Sequence, residues 1–485
     1  MKLEKLIENI DCKKVNFENV DITGLSYNSK TTQKGDIFIC LVGEYTDGHN
    51  YIQFAQENGA VALFVEKEVN SSLPQIIVDS TRHKIADIAD KFYNSPSKEL
   101  NLIGVTGTNG KTTVTHLIQK IFEGINDKCA LIGTLGYKLS SEDVYKEAKH
   151  TTPQAPELQR VLRQIKSENN IKNVAMEVSS HALEQRRVGN CDFKGAVITN
   201  LTQDHLDYHV TMDNYFDAKA ILFKNLKEGY FAVLNADDTY VDRFKSIIPK
   251  GVKVLTYGIK NQADIRAKDI EFTCDGAKFT LTTKDLELPV LLHMNGVFSV
   301  YNVLAALSAS CMLGFDIKTA IKSLENVKGV AGRFEIVHKN PMVIVDYAHT
   351  PDGLENVLKA GREITPKGAN LICLFGCGGD RDATKRPKMG EIAERLSDKV
   401  VVTSDNPRSE DPEQIIFDIM AGIKSVDTDK IFVESDRGKA IELLKKISNE
   451  KDVLIIAGKG HEDYQILKDK TIHFDDKEQA KKVFG

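Results

Sequence analysis

Runs of four to six apolar residues alternate, over most of the 485-residue chain, with longer stretches whose apolar positions fall three and four residues apart. The first pattern predicts buried strands and the second amphipathic helices, so their succession predicts parallel sheets covered by helices. Residues 1 to about 98 form a first small α/β module: a glycine-bounded strand at 35–43, a helix at 50–57 and a buried strand at 60–65. Ser95-Pro96-Ser97-Lys98 marks its end. The second module opens with a strand at 101–106 and a helix at 111–122, and continues through 130–133, 156–165, 173–178, 196–199 and 231–234. Short alternating strands, 272–283 among them, then run to residue 292. Gly329-Val-Ala-Gly-Arg333 reads as a hinge. The third module repeats strand then helix through 342–346, 371–375, 400–403, 431–433 and 453–457. This regularity predicts a second doubly wound sheet, with ligands at the carboxyl ends of its strands.

Composition narrows the class. Hydrophobic and charged fractions of 41% and 27% are those of an ordinary globular protein. No apolar run approaches the ~20 residues that span a bilayer, and the first residues lack a signal-peptide core. A cytoplasmic protein without membrane insertion is expected. A net charge of −5 argues against a general nucleic-acid binder, so an anionic ligand must be held by local Lys, Arg and backbone amides. The eight cysteines are scattered, and only Cys373 and Cys377 lie close. Free core thiols are expected rather than zinc or disulfides.

The stretch Gly104-Val-Thr-Gly-Thr-Asn-Gly-Lys-Thr112 lies between the predicted strand and helix. It reads as a phosphate-binding loop, in which the backbone N–H groups of a glycine-rich turn at a helix N-terminus cradle phosphate oxygens. Lys111 would neutralise the β/γ-phosphates and Thr112 would hold magnesium. Glu177 ends a predicted strand, where its carboxylate can face such an ion; a strand-end Glu paired with a base is the plainer alternative. His205 sits in the ligand-rich run Thr199 to His209 and is a candidate for a second metal, although a single His is usually structural. Lys219 falls on an apolar helix face with Phe216, Ala220 and Phe223. Spacing alone favours a lysine that snorkels to the rim or pairs with Asp213 or Asp217. The sharper alternative is a neutral amine that takes up carbon dioxide to give a metal-bridging carbamate. Tyr27-Asn-Ser-Lys30 and Asp47-Gly-His-Asn50 are either polar ligand loops or ordinary turns. Four polar clusters follow predicted strands of the third module: Asp346-Tyr-Ala-His349, Gly376-Cys-Gly-Gly-Asp-Arg381, Asp405-Asn-Pro-Arg408 and Gly458-Lys-Gly-His-Glu462. Four in succession indicate a site.

Together these stretches resemble the Mur ligases, the ATP-dependent amide-forming enzymes of peptidoglycan synthesis. The resemblance rests on 106–113, Thr151-Thr-Pro153, Glu177-Val-Ser-Ser-His181, 200–209, Ala218-Lys219, Asn295-Gly296, Asn302, Gly332-Arg333, Asp346 to Pro351 and the C-terminal clusters. It implies an α/β fold of three domains: a UDP-muramoyl-binding domain (1–98), a central ATP-binding P-loop domain with a parallel sheet (99–332) and a Rossmann-like amino-acid-binding domain (333–485). It implies ATP as co-substrate and two magnesium ions; a monomer is expected. It also reverses the reading of Lys219, which matches the lysine carbamylated in the family, and makes Thr112, Glu177, His205 and Lys219 the metal-holding set. ATP contacts are expected from Gly107, Thr108, Asn109, Gly110, Lys111, Thr112, Thr113, Asn295, Asn302, Arg333, Asp346 and His349, with Arg333 at the hinge and counted with the catalytic residues. Ser29, Lys30, Thr151, Thr152, Ser179, Gln185 and Arg187 are expected to grip the muramoyl dipeptide.

The family branch most similar in pattern acts on UDP-N-acetylmuramoyl-L-alanyl-D-glutamate. Asp405-Asn406-Pro407-Arg408 is similar to the signature of members that add meso-diaminopimelate. That amino acid carries a carboxylate as well as an amine at its distal end, and lysine carries only the amine. Arg408, or Arg381, can bind the extra carboxylate through two N–H groups. Asp405 and Glu462, with Asn406, Pro407 and Gly458 around them, can receive the ammonium. One stretch departs from the family: Asn28-Ser-Lys30 stands where Asp-Ser-Arg is usual, and lysine offers a point charge without arginine's fork. Rival readings are a ligase adding L-lysine or lanthionine, a folylpolyglutamate synthetase, and a nucleotide-driven switch without ligase activity.

Overall fold

The computed structural model describes residues 1–43, 46–140, 142–148, 150–169, 171–273, 276–425 and 429–485, with the side chains of 168 and 169 excepted. The chain gathers into two compact units, one of residues 1–104, 128–196 and 218–230, the other of residues 105–127, 197–217 and 231–485.

In the first unit a five-stranded sheet runs in the order Lys13–Val15, Gln75–Ile77, Ala62–Val65, Asp36–Ile39, Gly24–Ser26. All pairs are parallel except the outer one, between Lys13–Val15 and Gln75–Ile77. Side-chain alternation explains why both faces are covered. Ile37 and Ile39 enter a core with Leu3, Leu6, Phe64 and Ile85, while Phe38 points the other way, into a core with Ile52, Ala55 and Leu63. The same unit holds Cys129–Gly133, paired in parallel with Asn173–Glu177 and antiparallel with Gly136–Lys138. The helix predicted at 156–165 is Ala155–Asn169.

The second unit carries the parallel strands Phe231–Asn235, Lys253–Gly258 and Ile265–Thr273, then the antiparallel strands Gly276–Thr282 and Glu287–Leu292. Residues 274 and 275, inside the run predicted at 272–283, lie outside the described residues. The helix Val297–Met312 is buried over most of its circumference, as its nearly unbroken apolar sequence requires. A six-stranded sheet follows in the order Glu335–Lys339, Met342–Asp346, Val453–Ala457, Leu371–Phe375, Lys399–Val402, Ile431–Val433. Its last five strands are parallel. One face packs Ile344, Cys373, Phe375 and Ile455 with Leu354, Met389 and Ile415; the other packs Val345, Leu374 and Ile456 with Ile441 and Phe484. This is the doubly wound sheet expected from the sequence. Beyond residue 333 two strand features were not expected: the edge strand Glu335–Lys339 and the hairpin Tyr464–Ile466/Thr471–His473. Among the described residues no helix is long and apolar enough to cross a membrane, and Cys12, Cys40, Cys191, Cys311, Cys373 and Cys377 are free thiols.

Candidate active site

The strand Asn101–Thr106 ends in the phosphate-loop segment and the helix Lys111–Gly124 begins at its lysine. The glycines divide their work differently from the sequence reading, which framed the loop between Gly104 and Gly110. Gly104 is part of the strand, and a Cβ there would meet the Phe193 ring at 2.9 Å. The loop glycines are Gly107 and Gly110. A Cβ on Gly107 would lie 1.9 Å from Thr199 Oγ1, and Gly110 has a left-handed φ of 87° with Asn302 Oδ1 2.4 Å from the absent Cβ. Lys111 Nζ donates to the carbonyl oxygens of Gly107 and Thr108 at 2.9 and 2.8 Å, which holds the ammonium across the loop. Thr108 Oγ1 donates to Thr202 O, and Thr113 is buried. Replacing Gly110 with Ala strains the backbone and displaces Asn302; at roughly 1–3 kcal/mol for such strain, KM for ATP rises about tenfold or more. An unchanged ATP titration of the folded variant counts against this account of the loop.

Around the loop the second unit forms a cavity of about 320 Å³, within the size range of small-ligand sites. Asn109, Gly110, Thr113, Asn302, Arg333 and Asp346 line it. Arg333 donates to Thr112 Oγ1 at 3.2 Å, and its guanidinium lies 4.4 Å from the centre of the Tyr347 ring. The Asp346 carboxylate accepts the amides of Phe334 and Ala348, both at 2.7 Å. Burial pushes its pKa up against the pull of Arg333 and those two donors. Asn295 is buried, with its side-chain oxygen unmatched by any described partner. Among the cavity residues that the sequence did not point to are Asp352, Asp237 and Tyr301. Asp352 accepts from Asn109 Nδ2 at 2.9 Å, and Asp237 accepts the amides of Ile259, Lys260 and Asn261 as well as the Tyr301 hydroxyl. Asp352 follows directly on the Asp346–Pro351 run, the only local signal of its role; Asp237 and Tyr301 carry none.

His349 and His461 are held neutral. Burial drives His349 down to about 4, helped by the Lys385 charge and opposed by Asp204. Burial drives His461 to about 3, with Arg333 next in effect. Unfolded histidines titrate near 6.5. Their contribution to stability is therefore complete above pH 6.5 and is lost as pH falls toward 4, because the unfolded chain binds protons the fold refuses. Calorimetry from pH 7 to 5 is expected to show a shallower loss of Tm for H349Q/H461Q than for the unaltered protein; identical slopes contradict it. Asp204 lies on the other side of this balance. Burial opposes its ionisation, yet His205, His349 once it is protonated at low pH, Lys385 and Lys111 bring it down to about 2. His205 itself lies 3.3 Å from Asp204 and takes a left-handed φ of 53°.

In the first unit five of the seven predicted dipeptide-gripping residues, Thr151, Thr152, Ser179, Gln185 and Arg187, belong to one hydrogen-bonded group. Thr152 Oγ1 donates to Glu177 O, Arg187 donates to Thr152 O and to Gln185 Oε1, and the Ser179 amide donates to Thr152 Oγ1. Thr134 gives its amide and hydroxyl to the two Glu177 oxygens at 2.9 and 3.0 Å and shares a hydrogen bond with Thr151. Gly133 makes room for that carboxylate: a Cβ there would sit 2.1 Å from Glu177 Oε1. Ser29 is buried and Lys30 exposed, in a short turn capped by Asn28 rather than in the Thr152 group. Asp47, singled out with the other N-terminal turn, caps its own short helix through the His49 amide. Lys219 is 1% exposed on the helix Met212–Lys224, so the snorkelling alternative does not hold.

The four strand-end clusters of the six-stranded sheet meet as expected for most of their residues. Asn406 Nδ2 donates to Glu462 Oε2 at 2.9 Å, and the Tyr347 hydroxyl donates to Glu462 Oε1 at 3.4 Å. Gly458, with φ of 119°, leaves space beside Asp405 Oδ2. Arg408 is half-buried and donates to Gly379 O at 2.8 Å; burial and Arg381 lower its pKa while Asp405 and Glu462 oppose them. Arg381 is exposed and donates to its neighbour Asp380 O, so it stands at the rim. Pro407 is buried beneath them.

Residues 105–310 match the Mur ligase middle domain, 332–460 the Mur ligase glutamate ligase domain and 21–93 the Mur ligase family catalytic domain. The chain is 45% identical to the UDP-N-acetylmuramoyl-L-alanyl-D-glutamate–2,6-diaminopimelate ligase of Halalkalibacterium halodurans, over 98% of this chain and 97% of that one. A solved structure of a ligase of the same description is 33% identical with a TM-score of 0.68, covering 100% and 99% of the two chains. MurF of Thermotoga maritima in complex with ADP shares the fold at 20% identity, with a TM-score of 0.67 over 95% and 96%.

Proposed function

The chain belongs to the Mur ligase family, with its three-domain α/β fold, and from that premise we propose a full assignment of reaction, substrates and residues. It is an ATP-dependent, amide-bond-forming ligase of peptidoglycan synthesis, of the MurE branch. It adds meso-2,6-diaminopimelate to the D-glutamate γ-carboxylate of UDP-N-acetylmuramoyl-L-alanyl-D-glutamate. The domains divide near 98/99 and 332/333, and the enzyme works as a cytoplasmic monomer. What supports the choice of amino acid is the half-buried guanidinium of Arg408 among Asp405, Asn406 and Glu462.

A γ-carboxylate oxygen attacks the γ-phosphorus of ATP, and ADP leaves. The diaminopimelate amine then attacks the carbonyl carbon of the acyl phosphate, loses a proton, and phosphate departs. Carboxylate and triphosphate repel one another, so charge neutralisation and positioning carry the rate. Lys111 and the amides of the Gly107–Thr113 loop hold the phosphates, Arg333 adds a cation at Thr112, and Asn302, Asp346 and His349 lie around the nucleotide. Thr151, Thr152, Ser179, Gln185 and Arg187, with Ser29 and Lys30, bind the muramoyl dipeptide. The donor set suits magnesium, which takes oxygen ligands and keeps several waters. Glu177, in the recess left by Gly133, Thr112, His205 and carbamylated Lys219 would hold two ions. Magnesium, when bound, supplies charge that screens the attacking carboxylate from the phosphates. Among the described residues no three His, Cys, Asp or Glu side chains cluster as a metal site; the proposed set needs only one of each acid and imidazole type, completed by a hydroxyl and a carbamate.

The test is an amino-acid panel. Purified protein with ATP and the UDP-linked dipeptide is given meso-diaminopimelate, L-lysine or lanthionine, and products are weighed by mass spectrometry. Diaminopimelate is expected to exceed lysine by at least about a hundredfold in kcat/KM, since a pocket that pairs a carboxylate penalises its absence. A preference for lysine removes the assignment.

A further inference from the structure

Beneath the amino-acid pocket lies a cation that the reaction does not call on. Lys459 has no exposed surface. Its ammonium donates to Asn406 Oδ1 at 3.0 Å and to Tyr464 O at 2.6 Å. It lies 3.3 Å from Asp405 Oδ1 and 3.7 Å from Glu462 Oε2. Two of its three protons are thus committed to neutral acceptors. The Asp405 oxygen is buried and accepts no hydrogen bond, so its contact with the lysine is one of charge, and the oxygen keeps its acceptor capacity. The neighbouring buried cation, Arg437, is paired with Asp476 at 2.7 Å, so the two together add nothing to the sum of formal charges.

Counting formal charges at the pocket, Asp405 and Glu462 are offset by Lys459 and Arg408. The sum is zero, and that matches the distal end of diaminopimelate, whose ammonium and carboxylate also sum to zero. A lysine substrate would bring one uncompensated positive charge into a half-buried site, where it costs most. Without Lys459 the pocket would be net negative and would suit a cation. We propose that Lys459 is a specificity-determining positioning residue, which sets the pocket's charge to zero and so favours a zwitterionic over a cationic side chain. This rests on the diaminopimelate reading above. Burial, and then Asp405, raises the pKa of Glu462; Lys459, Asn406 and Arg408 act against that rise and favour its charged form. Tyr347, Tyr464 and Arg437 complete its charged and titratable surroundings.

The experiment compares kcat/KM for meso-diaminopimelate and L-lysine in the unaltered enzyme, in K459M and in K459M/E462Q, which returns the sum to zero. K459M is expected to lower the diaminopimelate-to-lysine ratio at least about tenfold, through KM for the amino acids, with KM for ATP unchanged. It is also expected to move the acidic limb of the diaminopimelate kcat/KM profile to higher pH, because Glu462 has lost its cation. The double variant is expected to recover part of the ratio although its rate is lower. A ratio within twofold of the original in K459M, or a double variant no more selective than the single one, overturns the proposal; if K459M does not fold, K459Q and K459Q/E462Q are read by the same criteria. An unaltered enzyme that prefers lysine overturns the diaminopimelate reading instead, so the two failures are distinct.

Discussion

Lys219→Ala is expected to lose roughly a hundred- to a thousandfold in kcat while remaining folded, the scale on which removal of an electrostatic group at a reacting centre is felt. The side chain is 1% exposed on a helix whose neighbouring residues, Tyr215, Phe216 and Phe223, are core. Burial disfavours an ammonium, and a neutral amine can attack carbon dioxide, forming an N–C bond and releasing one proton. The resulting carbamate is an anion of the kind magnesium binds. Three outcomes separate this from lost packing. Lys219→Met keeps the volume and is expected to be as inactive as the alanine variant. Short-chain carboxylates are expected to restore part of the alanine variant's activity and none of the methionine variant's, because the latter leaves no space. Near-normal turnover in either variant removes the carbamate from the account.

The second large effect is at position 408. Arg408→Ala is expected to reduce kcat/KM for meso-diaminopimelate by on the order of a hundredfold, as truncating one partner of a desolvated charge pair does. Its effect on the slow lysine reaction is expected to be small. Arg408→Lys is not expected to rescue, because a point charge cannot hold a carboxylate through two parallel N–H groups. The geometry adds a reason. One guanidinium nitrogen is already held by Gly379 O at 2.8 Å, which restricts the fork, and a Cβ at Gly378 would lie 2.8 Å from that nitrogen and push the guanidinium aside. A steady-state comparison that finds diaminopimelate and lysine equally impaired assigns Arg408 a structural role only.

These particulars show what could be read from the chain unaided. The strands Met342–Asp346, Leu371–Phe375, Ile431–Val433 and Val453–Ala457 have the limits expected from the sequence, because strands buried on both faces are continuous apolar runs bounded by polar clusters. The edge strand Glu335–Lys339 was missed for the converse reason: an edge needs only one apolar face, and Glu335, His338 and Lys339 mask the pattern. The hairpin at 464–473 is three residues a side, too short for periodicity to register. The phosphate loop was legible since its chemistry is contiguous, although the assignment of Gly104 to the loop was not right. Asp237, Tyr301 and Asp352 became visible only through contacts of dozens to hundreds of residues in sequence. Lys459 reads in the sequence as one more polar loop residue, and only its burial reveals it as a counter-ion.

The central claim, that ATP cleavage is spent on one amide bond, is tested most directly by measuring phosphate release with each substrate withheld in turn. Phosphate is expected to appear only when ATP, UDP-N-acetylmuramoyl-L-alanyl-D-glutamate and meso-diaminopimelate are all present, with one phosphate for each tripeptide product. Sustained phosphate release from ATP alone, indifferent to the muramoyl peptide, would contradict the ligase assignment and leave a nucleotide-driven switch in its place.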